Sequence, residues 1–384
     1  MKILMTAGSP KRLESGTSAV LYNLSRELTR LGHQVDLVFR EDIVADDEMR
    51  GRFRETKFAW RLAKYIRRHA GEYDIANLHA PVGFAYGALH RFFPKRGDPP
   101  YVVSLHALEE WRTHTMKREA RKGRAWHFNW KNRAWQRLYN QSRFDCSVTT
   151  SDAAHCFCRD VWTMLHLKYD LDPERILYVQ SGVDERFFTA REYEKQSPLR
   201  LLYAGTWLDQ RGIYYLRDAL NRLLTRFSDW TMTFAGVSTA EETIRSFFGE
   251  DLQKHLRVIF RVPAEDMPLL YAQHDILLLP SLMEGPSFAV MEAMASGMPV
   301  ITTDACGMVD SVEDGVDGLL IPTANADAIE HSILRLARSV ELRASLGKAA
   351  RTRMSRLSWA NHAKKVQALF QFVCDRHQKA TAGT

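Results

Sequence analysis

Asp275-Ile-Leu-Leu-Leu-Pro-Ser-Leu-Met-Glu-Gly-Pro-Ser-Phe-Ala-Val-Met-Glu-Ala-Met-Ala-Ser-Gly-Met-Pro-Val-Ile-Thr-Thr303 is the stretch whose reading decides the fold. Asp275 to Pro280 is a short apolar run bounded by turn residues, which predicts a buried strand. Ser281 to Pro286 is turn chemistry, and Ser287 stands where a helix N-cap is expected. Phe288 to Ala295 is apolar on nearly every side except at Glu292, and a helix apolar all round is a buried one. Gly297 suits the residue that closes such a helix, and Pro299 to Thr303 predicts the next strand. Glu292 then needs donors, because a buried carboxylate without partners costs several kcal/mol or more. The hydroxyls of a polyhydroxylated ligand would serve. The helix start beside it offers N–H groups that suit a phosphate. Two glutamates, Glu284 and Glu292, around an anion site point to a sugar carried on a diphosphate.

The same alternation runs outward in both directions. Lys2 to Met5 reads as a strand, Gly8 to Gly16 as a loop, Thr17 to Arg30 as a helix and His33 to Phe39 as a strand. That is the opening of a doubly wound sheet. Further strands are expected at Asp74–His79, Tyr101–His106, Cys146–Thr150 and Ile176–Val179. Two of these end in histidine, and functional groups of such sheets sit at the carboxyl ends of strands. The polar run Glu192 to Ser197, before Pro198, is the expected linker. A second series then begins with a strand at Leu199–Ala204. It continues with a helix at Gly212–Phe227, strands at Thr231–Ala235 and Arg257–Phe260, a helix at Met267–Gln273 and one at Asp327–Arg338.

With 384 residues the chain has room for two domains of ordinary size. No run approaches the ~20 apolar residues of a membrane span. The opening Met1 to Met5 is too short for a secretion signal, so no export is expected. Five scattered cysteines do not make a disulfide framework, and a cytoplasmic location is the simplest expectation. Residues 1–190 hold 31 Lys/Arg against 23 Asp/Glu, whereas residues 191–384 hold 22 against 23. The window Arg112 to Arg137 alone carries nine basic residues against the single acid Glu119.

These residues together resemble the retaining nucleotide-sugar glycosyltransferases of family 4, which have a GT-B fold. The resemblance rests on Glu284 and Glu292 with seven residues between them, and on Glu292-Ala-Met-Ala-Ser-Gly-Met-Pro-Val-Ile301. It rests also on Val312-Glu-Asp-Gly-Val-Asp-Gly-Leu-Leu320, Gln180-Ser-Gly-Val-Asp184, Ala204-Gly-Thr-Trp-Leu-Asp-Gln-Arg-Gly212, the Gly16 loop and Leu31-Gly-His-Gln-Val35. It covers nearly the whole chain, most densely over 199–325 and least over 40–140.

The resemblance implies an α/β architecture of two doubly wound, Rossmann-like domains facing a cleft. Residues 1–190 would form the acceptor domain and 198–357 the donor domain. A final helix over 358–378, beginning at Ser358-Trp359, would cross back to the first domain. It implies transfer of a sugar, with retention, from a nucleoside diphosphate sugar of UDP or GDP type to a glycan or lipid-linked acceptor, without a metal or other cofactor. Glu284 would bind the donor sugar and Glu292 the ribose. The N–H groups at Ser287, Phe288 and Ala289 would hold the diphosphate, and Arg211 would neutralise it as it leaves. Gly16 would let the first loop approach the phosphates. His106 would lie near the anomeric carbon, and Val262 would touch the base through its backbone. The chain departs from the family at Thr206, where an arginine is usual, at Ser181, usually asparagine, and at Thr17 after Gly16, where a second glycine is usual. The Thr206 position is expected to lack one charged phosphate contact.

Each of these residues also has a structural explanation: Glu292 as a loop-capping acid, Glu284 as a loop acid, Arg211 as a surface arginine, and His106 and His79 as satisfied strand-end histidines. Asp170-Leu-Asp172 before Pro173 reads as a turn or N-cap rather than a metal pair. His155-Cys-Phe-Cys158, read on a helix, is not a zinc site, since i and i+2 do not face each other there. The basic window 112–137 contains Trp126, Phe128, Trp130 and Trp135, and 50–68 is a second basic stretch with Phe53, Phe58 and Trp60. Basic and aromatic residues together suit an anionic membrane surface, so a peripheral membrane contact is expected, and no nucleic-acid partner. Two enzymatic alternatives remain open from the sequence: a nucleotide-sugar epimerase of the same fold, and a transferase acting on a soluble small acceptor. A non-catalytic sugar binder is a third.

Overall fold

The computed structural model describes residues 1–9, 11, 16–44, 51, 53–107, 109–125, 129–194 and 198–382. The chain forms two compact units. The first comprises Met1–Thr113, Asn129–Gly182 and Trp359–Thr384, and the second His114–Phe128 and Val183–Ser358.

The first unit carries a six-stranded parallel sheet in the order β2-β1-β3-β4-β5-β6. Its strands are β1 (Lys2–Thr6), β2 (Gln34–Val38), β3 (Ile75–His79), β4 (Tyr101–Leu105), β5 (Ala153–Cys156) and β6 (Ile176–Tyr178). Strands β3, β4 and β5 are buried along their whole length, as expected of a parallel sheet covered on both faces. The helix Arg54–Arg68 packs Phe58, Leu62 and Ile66 into the core and leaves Lys57, Trp60, Arg61 and Lys64 outside, a division set by the helical period. The final helix, Trp359–Ala382, belongs to this unit. It buries Val366, Phe370 and Val373, and His362 Nδ1 is 2.9 Å from the Gln180 carbonyl, to which it donates.

The second unit carries another six-stranded parallel sheet, in the order β12-β11-β10-β7-β8-β9. Its strands are β7 (Leu199–Ala204), β8 (Trp230–Ala235), β9 (Leu256–Ile259), β10 (Ile276–Leu279), β11 (Val300–Thr303) and β12 (Leu319–Ile321). This is the dinucleotide-fold order, and it reverses direction between β7 and β10, the position where such sheets bind ligands outside the strand ends. The helix between β10 and β11 spans Phe288–Ala295, and Gly297 closes it at φ +73°.

Four expectations require correction. Cys146–Thr150 is not a strand: Ser142–Thr149 is a helix with Phe144 and Val148, four apart, buried on one face, and the strand lies later, at Ala153–Cys156. Packing of that face overrides the β-branched composition of Val148-Thr-Thr150. Consequently His155-Cys-Phe-Cys158 begins on β5, not on a helix, and Cys158 occupies the N-cap position of the following helix, Arg159–Leu167. The boundary between the units falls at Gly182 and Val183 rather than at 190–198. Arg191 donates to the carbonyls of Ser296, His274 and Tyr271, and the Tyr193 hydroxyl donates to that of Gly297, so this stretch is fastened to the second unit. Residues 195–197 lie outside the described residues.

The fourth correction concerns 114–128, expected within the first domain and found with the second unit. The acid Glu119, 1% exposed, is the reason. Its carboxylate accepts from the Tyr215 hydroxyl at 2.9 Å and from Lys122 at 3.3 Å, and Arg124 pairs with Asp218 at 3.1 Å. The Arg124 guanidinium also lies 4.3 Å from the centre of the Tyr215 ring. Part of the basic window is therefore spent on contacts inside the second unit. Trp126 and Phe128 lie outside the described residues. Asp172, as expected, caps a turn, its carboxylate accepting from the Glu174 N–H.

Candidate active site

In the second unit the candidate residues gather at the carboxyl ends of β7 and β10. After β7 the chain turns through Gly205, at φ +144°, into Thr206, whose carbonyl accepts from the Tyr203 hydroxyl at 2.9 Å. Thr206 itself is exposed. A short turn, Asp209–Arg211, then leads into the helix Ile213–Arg226 through Gly212. Gly212 is left-handed at φ +73°, and a β-carbon there would lie 2.0 Å from the Pro280 carbonyl oxygen. Only glycine permits both the turn and this approach. Leu282 N–H donates to the Gln210 carbonyl at 2.8 Å, so the loops after β7 and β10 are tied together.

This tie brings Arg211 onto Glu284. The two side chains form an ion pair, each less than one-fifth exposed. The Ser281 hydroxyl donates to the same Glu284 oxygen at 3.0 Å. Gly307 N–H donates to the Glu284 carbonyl at 3.2 Å, and a β-carbon on Gly307 would sit 2.5 Å from the backbone of Gly285 and Pro286. Burial works against the Arg211 charge, but Glu284 more than reverses this and holds the guanidinium firmly protonated. Arg211 Nε remains buried without a hydrogen-bond partner among the described residues.

Glu292 belongs to a second polar pair. It sits in the second turn of the Phe288–Ala295 helix, and the Tyr271 hydroxyl donates to its Oε2 at 2.9 Å. Burial lifts the Glu292 carboxyl to about 7, with the Tyr271 hydrogen bond and the Arg186 charge pulling the other way. Tyr271 is fully buried, and burial together with Glu292 keeps its phenol un-ionised. Ser287 occupies the N-cap position, as expected, with extended backbone, and its hydroxyl makes no capping bond among the described residues. Phe288 and Ala289 form the first turn of the helix, both half-buried. Val262 follows β9 in a loop, packed on the core, and makes no polar contact with either glutamate among the described residues.

In the first unit Gly16 is the first residue of the helix Gly16–Arg30 rather than a loop residue, and residues 12–15 before it lie outside the described set. His106 follows β4 directly, half-buried. Its Nε2 is 2.8 Å from Nδ1 of His79, which ends β3. Its ring stacks on Phe157 at 4.7 Å with 10° between planes. Burial depresses the His106 imidazole to about 4. Among the described residues no group of three or more His, Cys, Asp or Glu is arranged to hold a metal ion.

Sequence reasoning singled out Arg211, Glu284, Glu292 and His106 as candidates but did not foresee the side chains they contact. Ser281 was read only as a turn residue and Tyr271 only as part of a helix. His79 was read as structural. Tyr271 and His79 lie 21 and 27 residues from the side chains they hold, and spacing carries no signal for such contacts, whereas Ser281 is only three residues from Glu284 in the same turn.

Comparisons with known proteins agree with this architecture. The family model "Glycosyltransferase Family 4" matches residues 15–187, and "Glycosyl transferases group 1" matches residues 184–353. A glycosyltransferase of Methanocaldococcus jannaschii is 22% identical over 83% of this chain and 80% of its own length. The amylovoran biosynthesis glycosyltransferase AmsK of Erwinia amylovora is 28% identical over 43% of this chain, and the match spans 42% of that protein. Among solved structures, sucrose-phosphate synthase of Thermosynechococcus elongatus superposes with a TM-score of 0.75 at 16% identity, covering 100% of both chains. Anabaena HepE, in complex with UDP and glucose, superposes with a TM-score of 0.70 at 16% identity, covering 97% of this chain and 99% of that one. Two consecutive glycosyltransferase models, laid over two parallel six-stranded sheets that superpose on such enzymes along their full length, make this chain a glycosyltransferase of the GT-B fold, similar to family 4.

Proposed function

We propose that the protein transfers a sugar from a nucleoside diphosphate sugar to a glycan or lipid-linked acceptor, with retention at the anomeric carbon and without a metal. The observation that carries this reading is the Arg211–Glu284 pair, held by Ser281 at the reversal point between β7 and β10. Breaking the bond between sugar and diphosphate places negative charge on the leaving group. Arg211, kept protonated, supplies fixed positive charge there, aided by the start of the Phe288–Ala295 helix at Ser287, Phe288 and Ala289. Glu284, released from Arg211 by the incoming phosphates, accepts hydroxyls of the sugar. Glu292 accepts the ribose hydroxyls. Thr206 contributes backbone but no charge, Val262 meets the base through its backbone, Gly16 approaches the phosphates, and His106 approaches the sugar.

The names of similar proteins support a polysaccharide role. AmsK is named for amylovoran biosynthesis, and WcaL of Salmonella typhimurium, 26% identical over 47% of this chain, for colanic acid biosynthesis. The donor class follows HepE, solved with UDP and glucose. The test is a thermal-shift panel of UDP, GDP and ADP with their sugars, followed by donor turnover. A ligand at about 100 times its dissociation constant stabilises by about 2.7 kcal/mol. A panel in which no nucleotide or nucleotide sugar shifts the transition would overturn the reading. Turnover of the nucleotide sugar without acceptor to a second nucleotide sugar would replace it with an epimerase.

A surface feature supports an anionic membrane as the place where a lipid-linked acceptor is met. A groove of about 440 Å³ is lined by Phe53, Thr56, Lys57, Trp60, Arg61 and Lys64. Phe53 and Trp60 are 54% and 43% exposed, unusual for large aromatics. Among the described residues no helix is long and apolar enough to cross a membrane, so such a contact would be peripheral.

A further inference from the structure

We propose that His79 is a positioning residue for His106, and that it fixes the His106 ring as the tautomer with hydrogen on Nδ1, so that His106 offers its ligand a neutral N–H donor. This rests on the reading that His106 faces the donor sugar. The geometry is a short hydrogen bond between ring nitrogens, His79 Nδ1 to His106 Nε2, at 2.8 Å. One of the two nitrogens carries the hydrogen. His79 is 1% exposed, and its other nitrogen, Nε2, is buried with no partner among the described residues. If His79 accepted through Nδ1, its hydrogen would sit on Nε2 as a buried N–H with no acceptor, the less tolerated kind of orphan. His79 therefore donates from Nδ1, and a bare lone pair faces the core. Neutral His106 accepts at Nε2 and must carry its hydrogen on Nδ1. That nitrogen has no partner among the described residues, and His106 is half-buried, so the N–H is available to a ligand.

The surroundings hold both rings neutral and still. His106 lies flat on Phe157 at 4.7 Å, and the far side of the cluster is closed by His155 and His362, whose rings are 5.1 Å apart. Phe157 also stacks with His362 at 5.8 Å and 11°. Burial drives His79 and His155 well below the usual histidine range and places His106 and His362 at about 4. The cluster is therefore uncharged at neutral pH. His79 ends β3 beside β1, where the order of the first sheet reverses, and His106 follows on β4, so the pair stands where such sheets receive ligands. The chemical consequence is selective: the group facing His106 has to accept a hydrogen bond, as a sugar oxygen does.

The experiment uses the full chain labelled with ¹⁵N at histidine side chains, read by long-range proton–nitrogen correlation, with His106 assigned from the spectrum of His106→Gln. The expected result is a protonated Nδ1 and a bare Nε2 for His106. A protonated Nε2 on His106 in the unsubstituted protein would overturn the proposal, whether or not any variant folds. His79→Phe removes the donor and should shift His106 toward the Nε2–H form and lower kcat about tenfold with KM little changed. In His79→Asn the amide nitrogen takes the place of Nδ1, and the substitution should restore both readouts. A purely packing role for His79 would lower the melting temperature in both variants and leave the His106 signature unmoved, which counts against the proposal. If His106→Ala turns over donor at the normal rate while the tautomer result holds, the role given to His106 in the reaction fails and the positioning by His79 stands.

Discussion

Arg211 and Glu284 are ion-paired to each other, each less than one-fifth exposed. The pair stores a charged group where a diphosphate is expected to depart, and it holds the guanidinium orientation fixed in advance. Arg211→Ala is expected to lower kcat by ~10²–10³, the scale for losing one charge-stabilising donor in a preorganised site. The same change leaves Glu284 with Ser281 as its remaining partner, so the melting temperature should be followed alongside. Near-normal turnover in a folded Arg211→Ala protein would remove the arginine from the mechanism.

Glu292 gives a pH dependence with a defined sign. Its carboxyl stands at about 7 in the folded protein, above the ordinary glutamate value, because of burial. Ribose hydroxyls donate to the ionised form, so nucleotide affinity should rise with pH up to about 7 and level off above it. Below that value it should fall roughly tenfold per unit, since each unit corresponds to 1.36 kcal/mol. Stability runs the other way. Between the ordinary value and about 7 the folded state binds more protons than the unfolded state, so this group's contribution declines as pH rises through that window and is flat above it. Titration calorimetry with UDP and GDP from pH 5.5 to 8.5 reads the first effect. Glu292→Gln should abolish the slope, and Tyr271→Phe, which removes a hydrogen bond to the carboxylate, should move it to higher pH. An affinity independent of pH in the unsubstituted protein would exclude this role for Glu292.

How much of this was legible in the sequence depends on the range of the signal. The helix Phe288–Ala295 was readable to the residue, because its apolar run and Gly297 are local. Much of the alternation of strands and helices was readable for the same reason, but Cys146–Thr150 was misread, its β-branched residues outvoted by the Phe144 and Val148 face of a helix, and the strand Leu319–Ile321 and the helices Arg159–Leu167 and Val340–Met354 were not read at all. The division into units was less so. Arg191 and Tyr193 look like linker residues until their contacts with Tyr271, His274, Ser296 and Gly297 appear, and these lie about a hundred residues away. Glu119 likewise looked like a lone acid in a basic window, and its partner Tyr215 is 96 residues distant. The candidate site residues were proposed from motif spacing. Their supporting side chains were not, because pairs such as Tyr271–Glu292 and His79–His106 exist only after the sheets have formed.

Glu119 should anchor the 114–128 arm to the second unit. Its carboxylate meets Tyr215 and Lys122 and is itself only 1% exposed, so Glu119→Ala leaves the buried Tyr215 hydroxyl without its acceptor, while the exposed Lys122 ammonium stays solvated. Leaving such a buried partner unsatisfied costs about 1–3 kcal/mol, or about 2–4 °C of melting temperature per kcal/mol for a unit of this size. Trypsin cleavage after Arg121, Lys122 and Arg124 should accelerate in native buffer. Unchanged proteolysis and melting would mean that the arm is held by its apolar contacts, Met116 and Ala125, alone.

The basic aromatic groove on the Arg54–Arg68 helix makes a prediction that separates charge from greasy contact. Lys57, Trp60 and Lys64 share the outer face of that helix, while Phe53 meets the Trp135 and Tyr139 rings edge-on at 5.4 and 5.6 Å. A lysine near an anionic bilayer contributes about 1 kcal/mol, so Lys57→Gln with Lys64→Gln should weaken binding to phosphatidylserine-containing vesicles about thirtyfold. Trp60→Ala should weaken it at both low and high salt, since burial of an indole is not screened, whereas the lysine effect should fade as salt rises. Vesicles of phosphatidylcholine alone should bind poorly throughout. Co-sedimentation of the full chain reads all four comparisons. If the unsubstituted protein stays in the supernatant with anionic vesicles at low salt, the membrane contact is excluded, and the exposed Phe53 and Trp60 need another partner.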